Sequence, residues 1–218
     1  IIGDIHSCIH ECKELIIKAG FIIDENGLIH GSEKTKNLEI ISLGDLIDKG
    51  VMTKETIEFF FINIFYNNEV KVRVVKGNHD GAVERLLTGK TKEESYDTGF
   101  VDQFYNSYKD IKSDGELVRK FLLIVDSMVP FVYYRSDDNK TKSFYVTHAP
   151  CSEKYVGKVN KDSIKQQMYV FSNRDGDGGV WATVTKNINP DSSNYPLIVS
   201  GHFAFKSVYN GKKDNRLL

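Results

Sequence analysis

The sequence predicts an α/β fold, because short strand-like runs alternate with helical patterns. β-branched or apolar runs recur along the 218 residues, at the first two positions and at 38–43, 70–75, 144–148 and 196–202. Helical patterns fall between several of these runs. Strands that alternate with helices are typical of layered α/β folds.

Each predicted helix or hairpin follows from a local pattern. Residues 9–19 carry apolar side chains at i, i+3 and i+4 spacing, which predicts an amphipathic helix. Residues 53–66 predict a buried helix, and 98–128 predict two helices within a small helical insert at about 89–128. The stretch 130–148 predicts a hairpin that turns at SDDN.

Composition narrows the class of protein. The chain is 40% hydrophobic and 27% charged, as in soluble globular proteins, and has a net charge of −1. That charge excludes a strongly basic nucleic-acid binder, although a local basic patch is still compatible with it. The most apolar run, TIEFFFINIFY, is far shorter than the about 20 residues of a membrane span, so no membrane partner is expected. Three cysteines suit a reduced, cytoplasmic setting.

We interpret residues 1–218 as a single domain cut from a longer polypeptide. The chain begins without Met inside a predicted strand, and NRLL at its end resembles an unfinished strand. The first residues lack the basic segment of a signal peptide.

Residues that can ligate metals follow five of the predicted strands. They are Asp4 and His6, Asp45 and Asp48, Asn78 and His79, His148, and His202. Ligands of open α/β sheets gather at the carboxyl ends of the strands, so these residues can converge on one site. Four of the six histidines lie at such ends, which scattered structural histidines would not do.

Carboxylate, imidazole and amide ligands suit hard or borderline divalent cations. A bridging carboxylate can hold two such ions about 3.5–4 Å apart, and the pair can bind phosphate and activate water. We therefore expect two divalent metal ions, with manganese favoured and iron, zinc or nickel as alternatives.

Five motif elements occur in the order found in a known family. They are GDIH, GDLIDKG, VKGNHD, His148 and the final GH. The chain is similar to the calcineurin-like binuclear metallophosphoesterases, in the phosphoprotein-phosphatase branch, from Gly3 to His202. The resemblance implies a central β-sandwich flanked by helices. It also implies hydrolysis of phosphomonoesters through in-line attack by metal-bound hydroxide, without a phosphoenzyme.

The resemblance also implies a role for each motif residue. Asp4 and His6 would bind the first metal, and Asp45 would bridge. The second metal would be completed by Asn78, His148 and His202. His79 resembles the general acid and Asp48 the carboxylate that orients it, although Asp48 could instead be a turn residue.

Phosphate binding is expected from Asn78 and from two cations, Lys49 and Arg174. Lys49 stands where the family has Arg, so it offers a point charge instead of a bidentate fork. Arg174 is interpreted either as a phosphate ligand or as a surface residue beside a Gly-rich turn. Ser7 replaces the usual Gly of the first motif.

Two other patterns are rejected as sites. Cys8, His10 and Cys12 offer no spaced second pair to close a zinc tetrahedron. GKT at 89–91 lacks the first Gly of a phosphate-binding loop, so no kinase domain lies within this chain.

The substrate is left open among three hypotheses. GAVERLLTGK, directly after the GNHD motif, and the helical insert resemble the phosphatase module of bacterial polynucleotide kinase-phosphatase. This resemblance favours nucleic-acid ends or nucleotides as the substrate. A serine/threonine protein phosphatase acting on phosphoproteins is the alternative enzyme. A catalytically inactive phosphate-binding module is the third. A nucleic-acid substrate would need basic contacts, for which Arg73, Lys76, Arg85, Lys158, Lys161 and Lys165 are candidates.

Overall fold

The computed structural model describes residues 1–91, 106–135, 143–151, 155–168, 197–202, 208–209 and 216–217. Helices and strands alternate through much of the chain, which confirms the predicted α/β class. The helices are α1 (Ile9–Lys18), α2 (Thr53–Phe65), α3 (Asn78–Leu87), α4 (106–112), α5 (Gly115–Ser127) and α6 (Lys161–Met168). The strands are β1 (Ile22–Ile23), β2 (Ile29–His30), β3 (Ile40–Ser42), β4 (Val72–Val74), β5 (Phe131–Tyr134), β6 (Phe144–Thr147), β7 (Leu197–Ser200), β8 (Val208–Tyr209) and β9 (Arg216–Leu217).

The chain divides into two compact units, residues 1–129 and 130–218. Whether these units form the single domain expected from the sequence stays a prediction.

A parallel sheet organises the first unit. β3 pairs in parallel with β4, and parallel bridges add Ile2 beside Ser42 and Val129 beside Val75. Because these neighbours all run in the same direction, their carboxyl ends meet at the same edge. The residues that follow Ile2, β3 and β4 are thereby brought together.

Helices α2 and α5 supply much of the core of the first unit. Helix α2 is buried as predicted, with Ile57 and Phe60 almost fully enclosed. Helix α5 contacts α2 and buries Phe121 and Ile124 in the same core. The described helices of the predicted insert are therefore part of this core.

Helix α1 begins two residues after Ser7 and buries Ile9, Cys12 and Ile16. Leu15, which the spacing places on the same predicted apolar face of α1, is instead 48% exposed. Among the described residues, no helix combines the length and the apolarity needed to span a membrane.

The second unit contains the predicted hairpin. β5 pairs antiparallel with β6, and β6 pairs in parallel with β7, so that Thr147 lies beside Ser200. The SDDN turn lies outside the described residues. The parallel pairing places the residues that follow β6 and β7 at the same edge of this sheet.

Candidate metal centre

The parallel sheet of the first unit brings three potential ligands together. His6 follows Ile2, which bridges to β3, Asp45 follows β3, and His79 lies in the first turn of α3, the helix that follows β4. One ligand atom from each residue can be chosen so that all three lie within 4.8 Å of one another. Imidazole nitrogens and a carboxylate oxygen at this separation can hold a divalent cation. Asp4 lies nearby, with its Oδ2 4.0 Å from Nε2 of His6.

Left-handed backbone is concentrated in the motifs. Among the described residues, six non-glycine positions have φ between 48° and 75°, namely His6, Ser7, Asp45, Asp48, Lys49 and His202. Such conformations cost free energy and persist only where the surrounding structure enforces them. All six belong to the motifs selected from the sequence, which indicates that the backbone is strained in order to direct these side chains.

Two strained loops are held together by backbone hydrogen bonds. The amide of His6 donates to the carbonyl of Asp45 (2.8 Å), and that of Ser7 donates to the carbonyl of Leu46 (2.8 Å). In return, the amide of Gly50 donates to the carbonyl of His6 (2.9 Å). A Cβ at Gly50 would overlap that same carbonyl oxygen, so only glycine fits there.

Asp80 fixes the Asp45 loop to the start of α3. Its side chain is fully buried and accepts hydrogen bonds from the amides of Asp45 (2.8 Å) and Leu46 (3.0 Å). A Cβ at Gly77 would overlap Asp45, so glycine allows this close approach. Asp80 is not among the site residues predicted from the sequence, where its signal is the last position of GNHD.

The tautomer of His6 follows from one contact. Its Nδ1 lies 3.1 Å from the carbonyl oxygen of Ile47, which can only accept, so Nδ1 carries the proton. Nε2 then presents a lone pair, and the ammonium of Lys49 donates to it at 2.7 Å. Burial, together with the cation of Lys49, lowers the pKa of His6. Its Nε2 is therefore available as a metal ligand near neutral pH.

Asp45 lies between the two imidazoles. Its Oδ1 accepts a hydrogen bond from the amide of His79 (2.9 Å), and its Oδ2 lies 3.7 Å from Nε2 of His6 and 3.8 Å from Nε2 of His79. Burial raises the pKa of Asp45 to about 7. A cation bound beside this carboxylate would favour its ionised form.

His79 is backed by a buried carboxylate. Its Nδ1 lies 2.8 Å from Oδ2 of Asp48, whose side chain is fully buried. Burial by itself would lower the pKa of His79. The hydrogen bond to Asp48 and the charge of Asp45 outweigh burial, so the pKa is raised. This arrangement leaves Nε2 as the nitrogen that is not bonded to Asp48.

The second unit brings His148 and His202 together. They follow the parallel neighbours β6 and β7, and the amide of Gly201 donates to the carbonyl of His148 (2.9 Å). Nε2 of His148 lies 3.1 Å from Nδ1 of His202. Two imidazole nitrogens at this distance can bind the same cation.

The other expected site residues are placed as follows. Asn78 is buried at the first position of α3, and Lys49 contacts His6. Arg174 lies outside the described residues. Of the rejected cluster, Cys12 is buried in α1 whereas His10 is exposed.

The sequence profile of the calcineurin-like phosphoesterases matches residues 1–216. The chain belongs to this family. The predicted calcineurin-like fold and the predicted class of enzyme, a metal-dependent hydrolase of phosphoester bonds, are thereby confirmed. Divalent metals are used in this family, and the His/Asp group described above fits one.

Three relatives of this phosphoesterase carry the same name, asymmetrical bis(5'-nucleosyl)-tetraphosphatase PrpE. The protein of Oceanobacillus iheyensis is 26% identical over 74% of the chain, and the match spans 59% of that relative. The protein of Anoxybacillus flavithermus is 26% identical over 94% of the chain and 78% of the relative. The protein of Bacillus mycoides is 23% identical over 88% of the chain and 69% of the relative.

The first prediction concerns the pH dependence of stability without metal. In the folded protein the pKa of Asp45 is raised from 3.8 to about 7, so folding retains a proton that the unfolded chain releases. This contribution is fully present below pH 3.8 and is lost as the pH rises through about 7. We expect wild type in EDTA to lose stability relative to Asp45→Asn, which mimics the protonated form, between about pH 4 and about pH 7.

Urea unfolding of both proteins measures this difference. Addition of Mn²⁺ should restore the stability of wild type at the higher pH and leave the stability of Asp45→Asn unchanged. A stability difference between the two proteins that does not change with pH would contradict the assignment.

The second prediction concerns Asp80. The carboxylate of Asp80 accepts from three backbone amides, those of Asp45, Leu46 and Gly77. In Asp80→Asn an NH₂ group replaces one carboxylate oxygen, so at least one buried N–H loses its acceptor. We expect the free energy of unfolding to fall by about 1–3 kcal/mol and the affinity for Mn²⁺ to fall with it. Asp126→Asn, an exposed position in α5, is the matched control. Unchanged Mn²⁺ binding by calorimetry would show that Asp80 does not hold the Asp45 loop.

Proposed function

We propose that this phosphoesterase hydrolyses a phosphate bond of a nucleotide, with two divalent metal ions as cofactors. The observation that carries the proposal is the convergence of His6, Asp45 and His79 within 4.8 Å, with His79 backed by buried Asp48. This arrangement combines a cation site with an acid–base pair, which together suit phosphoester hydrolysis.

His6, Asp45 and Asp4 would hold one ion. The assignment of Asn78, His148 and His202 to a second ion rests on the family motifs. When bound, the ions would coordinate phosphate oxygens and lower the pKa of a bound water. Manganese is the metal that we propose, on the strength of the mixed carboxylate, amide and imidazole ligands.

His79 would supply the proton to the leaving oxygen. The carboxylate of Asp48 accepts a hydrogen bond from Nδ1–H of His79 and stabilises the imidazolium, so a second proton is held at Nε2. The raised pKa of His79 keeps this protonated form available near neutral pH. Asp48 is therefore a positioning residue, and His79 is the proposed acid.

Lys49 would bind the phosphate of the substrate. Its ammonium now donates to Nε2 of His6, and a cation bound at that nitrogen would displace it. The displaced ammonium would then lie beside the metal, where a phosphate oxygen would bind. Asn78 and Arg174 are proposed as phosphate ligands from the sequence alone.

Two lines of support favour a nucleotide as the substrate. The relatives are named for hydrolysis of bis(5'-nucleosyl) tetraphosphates. Moreover, two cations that could have contacted a nucleic-acid backbone are already paired. Arg73 bonds to Glu39 (2.9 Å), and Lys76 bonds to Glu84 (2.5 Å). A short nucleotide does not need an extended basic track.

The third prediction tests the substrate. One Mn²⁺-loaded preparation would be given diadenosine tetraphosphate, a 3'-phosphorylated oligoribonucleotide and a phosphothreonine peptide. We expect the highest kcat/KM with the dinucleotide, and chromatography should show whether its four phosphates divide as one and three. A higher kcat/KM with the oligonucleotide would indicate a role in the repair of nucleic-acid ends. A higher kcat/KM with the peptide would indicate a protein phosphatase. Either result would contradict the nucleotide proposal. Binding without turnover of any of the three would favour an inactive phosphate-binding module.

The fourth prediction tests the acid and the metal ligand. His79→Ala should retain Mn²⁺ and lose about 10²–10⁴-fold in kcat on a nucleoside 5'-monophosphate, whose leaving oxygen is an alkoxide that must be protonated. The loss should be smaller on 4-nitrophenyl phosphate, whose leaving group needs little protonation. Asp45→Ala should lose metal-dependent turnover on both substrates. His10→Ala, an exposed histidine of α1, is the control. Loss of Mn²⁺ binding in His79→Ala would make His79 a ligand instead of the acid.

A further inference from the structure

We propose that three buried hydroxyl groups, those of Ser7, Thr53 and Ser107, form a chain that positions Asp48 and, through it, His79. The inference rests on the proposed role of His79 as acid. It adds three positioning residues that lie outside the metal ligands and the acid–base pair.

The chain of hydroxyls is continuous. The amide of Asp48 donates to Oγ of Ser107 (3.0 Å). Oγ of Ser107 lies 3.3 Å from Oγ1 of Thr53, which lies 3.2 Å from Oγ of Ser7. None of the three hydroxyl residues is more than 3% exposed. Water therefore has little access to these bonds.

The backbone amide of Asp48 sets the direction of the chain. An amide N–H can only donate, so Ser107 accepts at this contact and its own hydroxyl can donate to Thr53. The hydroxyl of Thr53 can in turn donate to Ser7. The chain therefore ties α4 and the first residue of α2 to both strained loops of the site.

Asp48 depends on its backbone for its position. It has φ of 75°, and the next residue, Lys49, has φ of 62°. Its Oδ2 bonds to His79, but in the described part of the chain its buried Oδ1 has no hydrogen-bond partner. Two backbone bonds therefore restrain the carboxylate that orients His79, one from the Asp48 amide to Ser107 and one from the amide of Gly50 to the Asp48 carbonyl (2.7 Å).

Ser7 supports the same interpretation. Its φ of 58° lies in the left-handed region, where glycine would adopt the conformation at lower cost. Its side chain is nevertheless buried and its hydroxyl lies within hydrogen-bond distance of Thr53, so the hydroxyl adds a contact that glycine could not make. The hydroxyl chain includes that contact.

The experiment removes single hydroxyls. Ser107→Ala removes the acceptor of the Asp48 amide, and Thr53→Val replaces the central hydroxyl by a methyl group of similar size. The matched controls are Ser113→Ala, an exposed serine just after α4, and Thr56→Val, a buried threonine whose hydroxyl donates to the carbonyl of Met52, within its own helix turn. Calorimetry with Mn²⁺ measures whether the metal site is intact in each variant.

We expect Ser107→Ala and Thr53→Val to lose about 10-fold in kcat on the nucleoside 5'-monophosphate, a part of the about 10²–10⁴-fold supplied by acid–base catalysis. KM and Mn²⁺ affinity should be unchanged, and the loss should shrink on 4-nitrophenyl phosphate. A merely structural role would reduce turnover of both substrates equally. The controls should match wild type in all of these measurements.

Proton NMR of the protein loaded with diamagnetic Zn²⁺ provides a readout that does not depend on turnover. The Nδ1 proton of His79, assigned with Asp48→Asn, should shift and exchange faster in Ser107→Ala. An unchanged resonance, or equal losses on both phosphoesters, would overturn the positioning role even if the nucleotide proposal holds. Conversely, a wild type that hydrolyses no phosphoester would refute the proposed function, whereas the resonance would still report on the chain of hydroxyls.

Discussion

The hydrogen bonds from the amides of Asp45 and Leu46 to the buried carboxylate of Asp80 hold the centre of the site in place. They connect the loop after β3 to the first turn of α3, which lies directly after β4. The neighbouring loop around His6 is attached to the same residues through its own backbone amides. These bonds offset the conformational cost of the left-handed backbone at His6 and Asp45.

The pKa shifts of Asp45 and His6 prepare this centre to bind a cation. Burial raises the pKa of Asp45, and burial together with the charge of Lys49 lowers that of His6. In the absence of a metal, therefore, the carboxylate tends to retain a proton and the imidazole stays neutral. A divalent ion would stabilise the ionised form of Asp45 and could bind the neutral Nε2 of His6. Burial disfavours the charged ligand when no metal is present, but it strengthens the attraction between ligand and ion once a metal is bound.

The helical segment between β4 and β5 has two connected roles. Helix α5 contributes Phe121 and Ile124 to the core beside α2, and α4 brings Ser107 to the amide of Asp48. Because α2 also begins at Thr53, one packing arrangement both stabilises the first unit and aligns the hydroxyls behind the acid–base pair. Stability and orientation of His79 are thus coupled through the same helices.

The sequence by itself determined the α/β class, most of the strands, the hairpin of β5 and β6, and the motif residues that place the chain among the calcineurin-like phosphoesterases. These features are local: strand patterns span a few residues, and the candidate ligands follow them directly. Tertiary structure alone decided the tautomer of His6, the contact of Lys49 with His6, and the roles of Asp80 and Ser107. The last two act through bonds that join residues 35 and 59 positions apart, and no local pattern encodes which distant amide a buried oxygen will accept.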